Sequence, residues 1–286
     1  MLRRVVLAIL AVVPLLGCSR SAPPARENSA IKRPQPMLEV VPYLEHDKNV
    51  RGFLCRPGGE GPYPAVVMIH DRLGLTDGIK DQTYRLARAG YVVLAVDLYR
   101  GESVQSVKDA ERLERELPKK RALADIKAAL DYLMERADVR KMQARVVAQD
   151  EEGREPTEQK YWDVGAIGLG MGGSYALEAA LEDPRLRALV LCYCPLPSDA
   201  KQLKPLNASV FGIVAGKDKS VTAKMIREFG KAMRDADKRV PPLRVYGECQ
   251  YGFLDPSSWP IHGKPRESDV EDAWKQITEY LGKELM

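Results

Sequence analysis

Histidine is scarce in this chain: His46, His70 and His262 are the only three in 286 residues. Any histidine base must therefore be one of these three. Cysteine is sparse too, with five in all, and their spacing dictates neither a disulfide framework nor a paired-Cys metal knuckle. Cys192 and Cys194 would share one face of a strand, and Cys55, Cys192, Cys194 and Cys249 are expected as buried free thiols. Beyond residue 16 no apolar run approaches the roughly 20 residues that a helix needs to cross a bilayer. Charge of one sign is not in excess either. The chain has 44 basic and 40 acidic residues, and no basic stripe interleaved with aromatics offers a nucleic-acid surface. No cofactor or metal set is evident, and no internal repeat is visible.

What is present begins at the N-terminus. Arg3 and Arg4 precede an apolar run, Val5–Leu16, of about the length of a signal-peptide core. The run ends in Leu15-Leu16-Gly17-Cys18, which resembles a bacterial lipobox, in which the Cys thiol receives lipid before cleavage in front of it. The expectation is a signal peptide over 1–17, a lipidated Cys18 and a bacterial envelope location. Ser19 stands where an Asp would signal inner-membrane retention, so an outer-membrane address is favoured if the cell has two membranes. Residues 18–37 carry Pro23, Pro24, Pro34 and Pro36 among polar residues, a composition suited to a flexible tether. Extended, that tether reaches roughly 60 Å at about 3.3 Å per residue.

Residues 38–286 suffice for one α/β domain. Apolar runs bounded by Gly, Pro or Asp predict strands near 64–69, 91–97, 164–168, 187–193, 209–215 and 242–246, after a starting antiparallel pair near 38–45 and 49–55. Helical patterns fill the gaps. Leu123, Ile126, Leu130, Leu133 and Ala137 make one stripe, and the last helix is expected to open on a capping box of Ser268 and Glu271. Alternating β and α argue for a mainly parallel sheet covered on both faces. The polar stretch 140–162 breaks the rhythm and reads as a surface insertion.

The stretch from Asp163 to Ala176 carries the most information. A strand runs into Gly168-Leu169-Gly170-Met171-Gly172-Gly173 and then a helix. Gly168, Gly170 and Gly173 fit a dinucleotide fingerprint. That reading also needs an acidic residue ending the next strand, where Leu191-Cys192-Tyr193-Cys194 offers none. The other reading is a nucleophile elbow, a strained strand-to-helix turn that lifts its middle residue above the sheet.

Four further segments join the second reading. Tyr63–Gly74 holds a strand followed by His70-Asp71-Arg72. Gly90–Tyr99 reads Gly-Tyr, four apolar residues and Val-Asp-Leu-Tyr in place of the usual Pro-Asp-Leu-Tyr ending. Ile213–Asp218 and Tyr246–Phe253 complete the set. Together, in this order, they resemble the dienelactone hydrolase family, of α/β-hydrolase fold, whose members hydrolyse esters and lactones. The resemblance implies a triad acid at Asp218, a nucleophile at position 170 and a histidine at position 251. It also implies an oxyanion hole from the backbone N–H groups of Arg72 and Met171, and an acid at Asp71 touching the nucleophile.

Two of those places are changed. Gly170 has no side chain with which to attack, and Tyr251 stands where the histidine belongs. Acyl transfer needs an activated nucleophile with a base in reach. Ser174, one turn further along the helix, points away from the elbow, Cys249 could face the cleft, and His262 could fold over it. His70 at the end of the third strand is expected to be packed and hydrogen-bonded, and His46 to lie far away. The reading is a membrane-tethered, dienelactone-hydrolase-like pseudoenzyme that binds a small ester-like or lactone-like ligand or an envelope protein. An active hydrolase with a relocated catalytic set is the alternative, and a dinucleotide-binding protein the minor one.

Overall fold

The structure, a computed structural model, describes residues 34–44, 46–141, 143–147, 157–161 and 163–286. The leader, Cys18 and most of the tether lie outside the described residues. Eight strands form one sheet in the order β1-β2-β4-β3-β7-β8-β9-β10. They are β1 (Met37–Pro42), β2 (Arg51–Arg56), β3 (Ala65–Ile69), β4 (Val92–Val96), β7 (Val164–Leu169), β8 (Ala188–Cys192), β9 (Ser209–Ala215) and β10 (Leu243–Tyr246). β1 and β2 pair antiparallel and β2 runs antiparallel to β4; every later neighbour is parallel. This is the α/β-hydrolase fold. The expected strands are found within one or two residues, except that β1 ends at Pro42, three residues short of the predicted end.

Every residue of β3, β4, β7 and β8 is buried, as expected for parallel strands covered on both sides. Alternate side chains enter two cores. Val67, Ile69 and Leu94 join one, against α3 (Lys119–Glu135), α4 (Met171–Glu182) and α6 (Ala223–Asp235), with Ile126, Leu177 and Phe229 among its members. Val66, Met68 and Val93 join the other, against α1 (Asp77–Arg88) and α8 (Glu267–Leu285), with Ile79, Leu86, Trp274 and Ile277. Between β4 and α3 lies α2 (Val107–Glu116).

Two local expectations are corrected and a third gains detail. α8 begins at Glu267 with Arg266 as its N-cap and no side-chain cap bond, so Ser268 and Glu271 form no capping box. Glu271 pairs instead with Arg85 of α1. The polar insertion contains a hairpin of its own, β5 (Gln143–Val147) against β6 (Thr157–Tyr161). Cys192 and Cys194 do not share a face: Cys192 belongs to one core and Cys194 to the other. The strand ends at Cys192, and Tyr193 turns the chain with φ 39°.

Candidate functional site

Register gathers the site. Ile69 pairs with Gly168, and Ala215 with Tyr246. The chain therefore leaves β3, β7 and β9 at one end of the sheet, where Asp71, Gly170 and Asp218 follow. The segment after β10 delivers Tyr251 to the same end, and the Lys217 N–H donates to the Cys249 carbonyl at 2.9 Å to hold it there.

His70 is fully buried, and both ring nitrogens are engaged. Nδ1 lies 2.7 Å from the Asp71 carbonyl, and Nε2 accepts the Leu98 N–H at 3.1 Å. The network thus assigns the proton to Nδ1. Burial holds the ring below its ordinary pKa. His70 ties the end of β3 to the chain leaving β4 and is no free base.

Gly170 sits at the head of α4 with φ 51° and ψ −118°, the strained elbow conformation that glycine enters without a Cβ clash. Its N–H donates to the Cys192 carbonyl at 2.9 Å. The space a side chain would take is filled. A Cβ here would overlap both Asp71 Oδ1 and the Tyr251 hydroxyl.

That pair is the centre of the site. Asp71, 1% exposed, accepts three hydrogen bonds at Oδ1. They come from the Arg72 N–H at 2.7 Å, the Met171 N–H at 3.1 Å and the Tyr251 O–H at 2.5 Å. The two N–H groups are the pair expected to face a substrate oxyanion, and the protein's own carboxylate occupies them. Burial pushes the Asp71 carboxyl above its usual range, while Tyr251, the two N–H groups and the Arg72 charge pull it back. Burial first, then the neighbouring Asp71 carboxylate, drive the Tyr251 phenol far above its ordinary value. Tyr251 therefore keeps its proton and donates it.

Around this pair, the Arg72 guanidinium lies 4.5 Å from the Tyr251 ring centroid, a cation–π contact. Tyr193 meets the same ring edge-on at 5.3 Å, and His262 at 5.4 Å. Burial and the Arg72 charge lower the His262 pKa. Asp218 Oδ1 accepts the Ser220 N–H at 2.8 Å, while its buried Oδ2 has no partner. The side chain at 251 turns its hydroxyl to Asp71.

Of the candidate substitutes, Cys249 is the buried free thiol expected: its thiol faces Asp269 of α8 at 3.7 Å, and burial raises it to about 11. Ser174 is half-buried on α4, and His46 is exposed beside the opening strand pair. Sequence reasoning missed Tyr193, 1% exposed with an unpartnered hydroxyl, because a positive φ after a strand leaves no residue signature at a tyrosine. It also missed Asp255, whose buried carboxylate accepts the Ser257 N–H at 2.9 Å and is raised by burial to about 6. Among the described residues no group of three His, Cys, Asp or Glu could hold a metal ion, and no helix is long and apolar enough to cross a membrane.

Comparison with known proteins agrees with this geometry. The profile of the dienelactone hydrolase family matches residues 50–285. The chain belongs to the dienelactone hydrolase family. A Bradyrhizobium relative named "Probable 2-oxo-3-(5-oxofuran-2-ylidene)propanoate lactonase" is 30% identical over 242 residues, covering 80% of this chain and 87% of the relative. Among solved structures, a dienelactone hydrolase-like promiscuous phosphotriesterase from metagenomic libraries superposes with TM-score 0.69 at 21% identity, covering 88% of this chain and 100% of that one. The dienelactone hydrolase of Anabaena variabilis gives 0.61 at 19%, covering 88% and 100%. These two establish fold alone. As a family member the chain has the architecture of an ester or lactone hydrolase. Dinucleotide binding finds no acid at the end of β8, and Gly173 of its fingerprint is the residue against which Cys194 packs.

Proposed function

We propose that this chain is a dienelactone-hydrolase-like pseudoenzyme, tethered to the bacterial envelope through Cys18, that binds a small ester-like or lactone-like ligand or an envelope protein without hydrolysing it. The observation that carries the catalytic part is Asp71. Its carboxylate holds both oxyanion donors, in contact with a glycine where the nucleophile belongs and a protonated tyrosine where the base belongs. Acyl transfer needs donors free for the developing charge, a nucleophile and a base, and here all three requirements are unmet. The tether rests on the Leu15-Leu16-Gly17-Cys18 sequence, and the outer-membrane address on Ser19.

One observation favours the rival reading, an active hydrolase with a relocated set: His262 packs on Tyr251 and feels the charge of Asp218, whose Oδ2 has no partner among the described residues. A panel of esters and lactones, run on the wild type and on Asp218→Ala, separates the two. The expected result is no turnover above background by either protein. Turnover by the wild type that Asp218→Ala abolishes would establish the relocated set. Fatty-acid labelling of wild type against Cys18→Ser in the producing cell reads the tether, and an unlabelled wild type removes it from the proposal.

A further inference from the structure

The charge of this chain is unevenly placed. Between Lys201 and Arg244 stand eleven Lys and Arg against four Asp and Glu. The overall +4 is thus a +7 segment set against −3 elsewhere. This segment forms the far end of the sheet, with β9, α6 and the edge strand β10.

Within it, α6 orders its cations. Lys224, Arg227, Lys231 and Arg234 recur at intervals of three, four and three residues, so they line one face of the helix, and all four are exposed. They span about 15 Å at about 1.5 Å per residue. The opposite face, with Phe229, Ala232 and Met233, is buried in the core. Among the described residues acidic neighbours compensate two of the four: Lys224 pairs with Glu228 at 3.7 Å and Lys231 with Asp235. Arg239 and Arg244, both exposed, follow along the loop and the edge strand, beside Val240 and Val245, which are 40% and 56% exposed.

We propose that this basic face of α6 docks the domain on an anionic phospholipid surface. Three observations select that partner. A protein interface needs apolar or aromatic anchors at its centre, and no exposed large apolar residue lies on α6 itself. Single-stranded nucleic acid needs aromatic platforms, and the stripe has none. A bilayer of anionic headgroups needs only a line of cations held at one height, each of which gains from the surface potential within a Debye length. The two exposed valines next to Arg239 and Arg244 fit the headgroup boundary rather than the hydrocarbon. The proposal is independent of catalytic silence and of lipid at Cys18: either could fail and the stripe would remain.

Lysine footprinting on the full chain tests it. The purified protein is mixed with vesicles of phosphatidylcholine, with or without phosphatidylglycerol, and treated with an amine-reactive reagent. Modification is then read residue by residue by mass spectrometry. Lys224 and Lys231 should be modified about five-fold more slowly, or slower still, with phosphatidylglycerol present. Lys108 on α2 and Lys120 on α3, both exposed, should not change. About 1 M salt, which cuts the Debye length to about 3 Å, should remove the protection. Arg227→Gln with Arg234→Gln should weaken it; should that variant fail to fold, the wild-type comparison between the two vesicle types still decides. Equal modification of Lys224 and Lys231 in both vesicles overturns the proposal. Protection produced by DNA or by an acidic protein, but not by phosphatidylglycerol, overturns it as well.

Discussion

Gly170 and Gly172 lie two residues apart in the same turn, yet they answer to different constraints. A Cβ on Gly172 would overlap the backbone carbonyl of Ile69 and crowd that of His70. Those atoms belong to the end of β3, are locked in the sheet and cannot move aside. A Cβ on Gly170 would instead meet two side-chain oxygens, Asp71 Oδ1 and the Tyr251 hydroxyl. Gly172 is required by the close seat of α4 on the sheet, whatever the chemistry above it. Gly170 is required by the Asp71–Tyr251 pair that fills the space beside it. A glycine-rich turn thus mixes residues kept by packing with one kept by the site, and only their obstructing atoms tell them apart.

The sharpest way to break this distinction is Gly172→Ala. The added methyl has no flexible neighbour to displace, so helix and strand must separate. Overpacking of a core costs about 1–3 kcal/mol and occasionally more; here the loss should be about 3 kcal/mol or greater in a denaturant melt. Gly170→Ala should cost about 1–3 kcal/mol, chiefly from φ above zero. If Gly172→Ala proves the milder of the two, the division between a packing glycine and a site glycine is wrong.

A second test asks whether the site glycine conceals recoverable chemistry. Gly170→Cys with Tyr251→His would assemble Cys, His and Asp218. Asp71 would still cap the Arg72 and Met171 N–H groups, so this double variant should hydrolyse an activated ester poorly. Adding Asp71→Ala frees both donors, and a working oxyanion donor is worth about 10²–10³ in rate. The triple variant should exceed the double by at least about tenfold on that basis. If the double variant is already as active as the triple, the carboxylate does not block the hole. The sequence suggests only the first two changes; the third comes from the geometry.

What could be read in advance follows from how locally each property is encoded. The buried strands were legible because parallel strands covered on both faces are nearly continuous apolar runs, as Val92–Val96 and Ala188–Cys192 are. The convergence of Asp71, Gly170, Asp218 and Tyr251 was legible only through the family resemblance, since those positions are brought together by sheet register. Asp71 inside the hole was not legible, because a side-chain rotamer and a hydroxyl from 180 residues away decide it. The capping box at Ser268 failed because Glu271 has a stronger partner: the Arg85 fork binds its carboxylate with two bonds, at 2.7 and 2.9 Å. The basic face of α6 was hidden in a nearly balanced total charge. It emerged once the helix fixed which cations share a side.

The last test, whose effect is small only in acid, is Tyr251→Phe, which sharpens the comparison by removing only the donor that Gly170 makes room for. The ring keeps its place against Tyr193 and under Arg72. Asp71 keeps its two N–H donors and loses the third. Burial already raises the Asp71 carboxyl, and the Tyr251 donor is the first of the influences that lower it. A raised carboxyl contributes stability that is complete below its unfolded value of about 3.9 and is lost as pH rises through its folded value. Without the donor the folded value moves higher, so the loss continues over a wider range toward neutrality. Variant and wild type should therefore differ by about 1 kcal/mol or less near pH 4. Near pH 8 the gap should reach roughly 1.5–3 kcal/mol, the worth of a hydrogen bond to a charged group. Denaturant melts across that range read the difference directly. A gap that stays constant with pH would mean that Asp71 has the same charge throughout. A gap that narrows as pH rises would mean that Tyr251 favours the neutral acid, and Asp71 would then not be the resident anion of the oxyanion hole.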